Sequence, residues 1–456
     1  MWIYAIPICC AGAASLLSLI PVVAVDEVVS VVAATAATVA SIVFLFLPGT
    51  VGPILFVDGI SKLMLLTISL VYLSATVFSV TYLKYVGNPL FRKRIYYFLL
   101  NVFALTMVFS VSVSNLGLVW FGVEATTVTS ALLVALDNNE AAIEASWRYV
   151  IIVSTGLVIS LVANILLYAT SGSLDAASLG GSSVSGHLAS LAAALAVIGY
   201  GTKAGLFPLY TWLPDVHGKA PSPVSGLFSA VLLPVAVFAI IRFLGVVASP
   251  GARLFLFILG VLTLATAALI LTVQRDLKRM FAYSTIENMG TVLLGVSLGG
   301  AAAVGAVVLL IAHAFAKSAA FYLSGNILAR YGTVRIAEIR GVGRTMPMTG
   351  ITLFFASLAV TGAPPFGAFV GELLILSGVY ARYGLAVAGL VGLLIAISFM
   401  AVNARVVSAV FSPVRGERRE RGIVGVAVPL ASTALSLAVV VFVPAIGRIL
   451  SGVIGL

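Results

Sequence analysis

A chain of 456 residues with 61% hydrophobic and only 9% charged residues cannot present an ordinary water-facing surface, which needs roughly 25% charged residues. Its net charge of +10 therefore speaks to membrane topology, and no nucleic-acid partner is expected. The adjacent Cys9 and Cys10 cannot alone hold a zinc or iron–sulfur centre. The chain also lacks a glycine-rich phosphate loop, dinucleotide fingerprint or haem motif, so any redox cofactor belongs to partner subunits.

Apolar runs of about 17 to 25 residues predict an all-α polytopic membrane protein with about fourteen transmembrane helices. The expected spans are 3–25, 28–47, 60–83, 95–111, 112–135, 149–170, 188–211, 222–246, 254–273, 280–298, 301–329, 348–381, 384–411 and 423–447. The N-terminus lacks the basic n-region of a signal peptide and is expected to be a retained helix. With this register, 18 of the 25 basic residues fall in loops after odd-numbered spans: Lys84, Arg92, Lys93, Arg94, Arg148, Lys219, Arg275, Lys278, Arg279, Arg330, Arg335, Arg340, Arg344, Arg405, Arg415, Arg418, Arg419 and Arg421. Five lie on the opposite side, Lys62, Arg242, Arg253, Arg382 and Arg448. That bias predicts a multi-pass cell-membrane protein with both termini outside.

Spans seven and twelve are interrupted by "GLFPLYTWLPDVHGKAPSPVSG" and "AVTGAPPFGAFVGELLIL". Proline removes an N–H and clashes with the preceding turn, and glycine lets the backbone bend. Non-helical backbone at membrane depth is tolerated only where protein or a water-filled cavity satisfies it. Two broken spans five apart point to two inverted five-helix repeats. The division is residues 1–94 for helices one to three, 95–250 for the first repeat, 251–414 for the second, and 415–456 for helix fourteen. Two ordinary proline kinks are the alternative.

Titratable residues recur inside these spans: Glu124, Lys203, Glu287, His313, Lys317 and Glu372, with His217 at the edge of the first break. A charge at the bilayer centre costs at least about 2.5 to 3.5 kcal/mol, so such residues face the bundle interior and mark ion pathways. Unit charges about 6 Å apart interact by roughly 2.8 kcal/mol at an effective dielectric of about 20. Moving one charge therefore makes its neighbour take up or release a proton. His313 and Lys317 lie one turn apart on the same helix face. Static roles remain open: a packing ion pair between Glu124 and Lys203, an interhelical hydrogen bond at His313, and an interfacial structural role at Glu287.

The stretches "GLFPLYTWLPDVHGKAPSPVSGLFSAVLLP", "QRDLKRMFAYSTIENMG", "HAFAKSAAFYLSGNI" and "GAPPFGAFVGELLIL" closely resemble the antiporter-like membrane subunits shared by complex I, Mrp-type cation/proton antiporters and membrane-bound hydrogenases. The "YSTIENMG" and "GAPPFGAFVGE" variants look most like component F of the hydrogenase-4 and formate hydrogenlyase branch. The resemblance spans about 300 residues, spans four to thirteen. It implies proton translocation coupled to a redox arm, with iron–sulfur, nickel–iron or flavin centres only in partner subunits. Other antiporter-like and small membrane subunits, peripheral redox-arm subunits and the lipid bilayer are the implied partners.

Residue by residue, Glu124 matches the family glutamate of span five, and Lys203 the lysine of broken span seven. His217 matches the "PDxH" histidine, His313 and Lys317 the "HAxxK" pair, and Glu372 the ionisable residue after the second break. Pro234 departs from the pattern, since many complex I relatives have a lysine in span eight. Asn288 follows Glu287 where hydrogenase-type relatives often read Ile-Glu-His. No room remains after Leu456 for the lateral helix of one complex I subunit, so this chain is not expected to be that distal subunit.

The expected function is a proton-translocating subunit of a complex I-related or hydrogenase-type redox complex. Glu124 and Lys203 form the input pair, His217, His313 and Lys317 the central relay, and Glu372 the exit, with Glu287 beside the relay. The alternatives are an Mrp-type cation/proton antiporter subunit without electron transfer and a scaffold that has lost pumping. Carboxylates and backbone oxygens at a break also suit Na⁺.

Overall fold

The structure is a computed structural model describing residues 2–20, 25–52, 54–85, 93–136, 138–180, 184–413, 420, 424–451 and 453. Of the basic residues used to orient the chain, Arg92, Arg415, Arg418, Arg419 and Arg421 lie outside the described residues. So does residue 415, where the last segment was expected to begin.

A 3₁₀ turn, Trp2–Ala5, leads into α1 (Ile6–Leu17), followed by α2 (Val25–Phe46), α3 (Gly59–Tyr85), α4 (Lys93–Ser112), α5 (Leu116–Ala135) and α6 (Glu140–Ser171). Then come α7 (Ala176–Leu179), α8 (His187–Ala204), α9 (Trp212–Lys219), α10 (Ser222–Leu227), α11 (Leu233–Val246), α12 (Pro250–Leu271) and α13 (Leu277–Leu298). The chain continues through α14 (Gly300–Tyr331), α15 (Val342–Thr345), α16 (Pro347–Val360), α17 (Gly367–Phe411) and α18 (Val424–Leu450). A two-residue hairpin, Thr50–Val51 paired antiparallel with Phe56–Val57, is a small exception to the all-α expectation.

Ten helices among the described residues are long and apolar enough to cross a membrane. α8 and α13, which carry Lys203 and Glu287, are not among them. The first expected span is shorter than its apolar run: α1 ends at Leu17, and residues 21–24 lie outside the described set. The expected boundary between spans twelve and thirteen coincides with Gly384, whose non-helical φ 79° and ψ −178° divide α17 into two helical stretches. The segment Ser222–Val246 is 100% buried and Gly300–Tyr331 94% buried over their apolar windows, so these two form the axis of the bundle.

The two breaks share their geometry. α8 ends at left-handed Gly205, where Leu206 N–H bonds Gly201 O at 2.9 Å; after α16, left-handed Gly362 precedes an Ala363 N–H to Leu358 O bond, also 2.9 Å. The helix starts match as well. α5 is capped by Asn115, and Leu116 N–H bonds Leu174 O at 2.8 Å; α13 is capped by Asp276, and Leu277 N–H bonds Val334 O at 2.9 Å. α6 and α14 each end on a left-handed glycine, Gly172 and Gly332, both at φ 70° and ψ 3°.

Small residues bring particular helices close, because in lipid helix association depends on backbone approach more than on apolar burial. A Cβ on Gly199 would lie 2.5 Å from Ser160 N, and one on Gly156 2.5 Å from Thr202 Cβ, which holds α8 against α6. Gly305 and Gly371 face each other so closely that a Cβ on either would lie 2.8 Å from the other's carbonyl oxygen. That contact presses the first turns of α17 onto α14.

Candidate functional site

The first part of the site is built by α5, α6 and α8. On α5, half-buried Glu124 accepts a 2.6 Å hydrogen bond at Oε1 from Ser154 of α6, while buried Oε2 has no partner among the described residues. Lys203, in the last turn of α8, is fully buried; its Nζ donates to Val123 O at 2.7 Å and to Thr127 Oγ1 at 2.5 Å. The lysine is thus held by residues flanking Glu124 on α5, with the carboxylate within electrostatic range but not in ion-pair contact.

Aromatic side chains stand beyond Lys203. Trp212 packs on Tyr149 at 4.6 Å between centroids and donates to Thr202 O at 3.1 Å. Phe228 lies 6.3 Å from Tyr149 and 6.2 Å from His217. His217 itself stacks on Phe321 at 4.6 Å, and neither of its buried ring nitrogens has a partner among the described residues.

The second part is built by the segment Ser222–Val246, α13, α14 and the start of α17. Between α10 and α11 the backbone makes a π turn over Phe228–Leu232. His313 of α14 is within 3.2 Å of Ser229 O through Nε2, and the Ser229 hydroxyl pairs with Thr285 of α13 at 2.6 Å. Lys317 directs Nζ at Phe281 O, 2.9 Å away, and lies in electrostatic range of Glu287. Glu287 accepts from Asn288 Nδ2 at 2.6 Å, and that amide also donates to Ser284 O at 2.9 Å. Glu372 is 6% exposed, with its carboxylate against Gly362 in the break and Glu287 in electrostatic range.

All seven residues singled out from the sequence therefore lie in the interior or its half-buried margin, in two groups: Glu124 with Lys203, and His217, His313, Lys317, Glu287 and Glu372. None takes part in an ion pair among the described residues. Carbonyls and hydroxyls hold the lysines instead. Unpartnered buried polar atoms accompany both groups: Glu124 Oε2, both His217 nitrogens, Ser222 Oγ, Ser284 Oγ, Asn288 Oδ1 and His313 Nδ1.

The sequence reasoning missed several of the groups that do the holding. Ser154, Thr127, Ser229 and Thr285 are ordinary hydroxyl residues in apolar runs, with no periodic signal to mark them. Lys278 was counted as a loop cation, but it is 2% exposed in the first turn of α13, donates to Ala220 O at 2.8 Å and lies in electrostatic range of His217. Its position two residues after the Asp276 cap was the available clue.

A helical bundle with many membrane-length helices and a titratable interior defines a polytopic membrane protein with an ionisable core. Within that class, the chain belongs to the family described as NADH:quinone oxidoreductase/Mrp antiporter, transmembrane, whose profile matches residues 113–398, more than half of the sequence. It is an antiporter-like membrane subunit. The hydrogenase-4 component F homolog of Methylacidiphilum infernorum is 35% identical over 340 residues, 71% of each chain. Hydrogenase-4 component B of Escherichia coli is 32% identical over 335 residues, 69% of this chain and 49% of that one, so the match spans about half of that relative's length.

Solved structures share the fold at lower identity. A subunit of the archaeal membrane-bound sulfane sulfur reductase superposes with a TM-score of 0.89 at 23% identity, covering 99% of this chain and 96% of that one. Chains of the Dietzia Mrp complex and of Thermus thermophilus complex I follow at 0.87 and 0.82, with 19% and 24% identity. The Mrp match covers 98% of this chain and 96% of its counterpart, and the complex I match 98% of each.

Proposed function

We propose that this chain moves protons through the membrane along Glu124, Lys203, His217, His313, Lys317, Glu287 and Glu372, driven by redox chemistry in partner subunits of a hydrogenase-type or complex I-related complex. The observation that carries the reading is burial without ion pairing. Lys203, His217, His313 and Lys317 are 0% exposed, yet among the described residues their hydrogen-bond partners are carbonyls and hydroxyls, and His217 has none. A static packing role is served by closed ion pairs, whereas groups that load and unload protons need charges free to change. The buried polar atoms without protein partners support a hydrated path between them, since buried polar atoms in polar sites are satisfied by water.

The two inverted repeats belong to the same reading, supported by the matching glycine breaks and helix caps of residues 95–250 and 251–414. Fourteen crossings result if α8 with α9 forms one broken crossing, α16 with the first half of α17 another, and the part of α17 after Gly384 a further one. Iron–sulfur, nickel–iron or flavin centres would sit in peripheral partners, with other antiporter-like and small membrane subunits beside this chain in the cell membrane, both termini outside. Likeness to a hydrogenase-4 component F homolog over 71% of both chains supports the redox branch.

The test is redox-linked proton translocation by the whole complex in proteoliposomes. Lys203→Ala or Glu124→Ala should abolish translocation while leaving complex assembly intact. Wild-type stoichiometry in either variant overturns the relay. Na⁺/H⁺ exchange without electron transfer would instead assign the chain to the Mrp-type alternative.

A further inference from the structure

Resting on the relay reading, we propose that Pro234 and the π turn together lock His313 in one tautomer, and so determine which ring nitrogen exchanges the proton. A π turn pairs a carbonyl with the N–H five residues on. For Ser229, in the turn Phe228–Leu232, that residue is Pro234, which has no N–H. The Ser229 carbonyl thereby lacks its i+5 partner, and His313 Nε2 lies 3.2 Å from it.

The chemistry at that contact has one solution. A carbonyl oxygen only accepts, so the nitrogen facing it carries the hydrogen, and in a neutral imidazole the other nitrogen is then a bare acceptor. That other nitrogen, Nδ1, is buried without a partner among the described residues. A proton arriving at His313 binds the Nδ1 lone pair to give the imidazolium, and the same N–H bond breaks when the proton moves on. The Nε2–H stays with the carbonyl throughout, because a neutral carbonyl cannot hold the proton. The Ser229 hydroxyl, tied to Thr285 at 2.6 Å, anchors the π turn to α13. Lys317, one turn along α14, is the nearest ammonium on the same helix. Proline adds no polar group of its own; lacking an N–H, it leaves the Ser229 carbonyl as a fixed acceptor for His313.

Pro234 is in this account a positioning residue, and its test is spectroscopic. In the intact complex with ¹⁵N-labelled histidine, the His313 signals, assigned by their loss in His313→Gln, should show the Nε2–H form favoured by about tenfold or more, the bias expected of one buried hydrogen bond. Pro234→Ala restores an N–H for Ser229 and should collapse that bias and lower proton flux severalfold at unchanged complex content. Pro234→Gly does the same without a side chain. An Nδ1–H form in the wild type overturns the inference, as does an unchanged tautomer ratio in an assembled Pro234 variant; if the variants do not assemble, the wild-type spectrum alone decides. Wild-type pumping by Lys203→Ala would defeat the relay but leave the tautomer result standing.

Discussion

The carboxylate of Glu372 rests against the α-carbon of Gly362: a Cβ at position 362 would lie 2.2 Å from Oε2 and 2.5 Å from Oε1 and Cδ. The break in the second half of the bundle is therefore also the floor on which this acid sits.

Gly362→Ala should disturb both. The glycine has φ +66°, a left-handed conformation that costs a residue with a Cβ roughly 1–2 kcal/mol, and the new methyl must displace the carboxylate. Gly205→Ala is the control, since it has φ +82° but its nearest neighbour is Leu213 Cδ1 at 3.3 Å. Thermal unfolding should show both variants destabilised. Proton translocation should fall further in Gly362→Ala than in Gly205→Ala; equal losses would show that the Glu372 contact does not matter.

Lys203 depends on Thr127 for one of its two hydrogen bonds. Hydrogen bonds to a charged group contribute about 1.5–3 kcal/mol. Thr127→Val should therefore weaken the hold on the ammonium, slow translocation and lower stability, whereas Thr127→Ser, which retains the hydroxyl, should behave almost as wild type. Rates and melting temperatures of the two variants side by side check this.

These contacts show where sequence reasoning reached and where it stopped. Apolar run length and Pro/Gly punctuation were enough to find the helices and both breaks, because burial in lipid and loss of a backbone N–H are properties of residue type. They also placed Glu124, Lys203, His313 and Lys317 inside. Partners were not legible: helical periodicity assigns a face, but whether Lys203 meets Glu124 or Thr127 is set by rotamers and by how closely neighbouring helices approach. The π turn was equally hidden. It shifts the register by one residue inside an evenly apolar run, so hydropathy is blind to it, and Pro234 read as a missing lysine where it also removes a backbone donor.

Asp175 lies in the loop after α6, outside the spans, and accepts from the Ser114 hydroxyl and from Ser178 N–H at 3.2 Å. Burial raises its carboxyl pKa, but these hydrogen bonds outweigh that and hold it below the usual carboxylate value. A depressed folded-state pKa contributes stability that is fully present above the unfolded value, about 3.9, and is lost as pH falls through the folded value. Asp175→Asn should therefore melt below wild type at pH 7, and the gap should narrow below about pH 4. Melting curves across that range test it, and a constant gap would assign the loss to packing.

Arg242 is a buried cation held by a carboxylate, a hydroxyl and two aromatic rings. Its two terminal nitrogens each meet a carboxylate oxygen of Asp58 at 2.6 Å, Nη2 also meets Ser61 Oγ at 2.8 Å, and the guanidinium stacks over Phe56 and Phe238, each 4.7 Å to the centroid. The pair ties the start of α3 and the small hairpin to the end of α11, and Arg242 is 3% exposed. Removing one member of a buried pair leaves an uncompensated charge and typically costs about 3–5 kcal/mol, whereas replacing both can be nearly neutral. Asp58→Asn and Arg242→Met should each lower the melting temperature strongly, and the double variant should recover much of the loss. Because both lie away from the titratable series, the stability lost should exceed any change in flux per folded complex. Additive losses in the double-mutant cycle would mean that the pair is not the joint holding α3 to α11, and the stacking on Phe56 and Phe238 would carry that role instead.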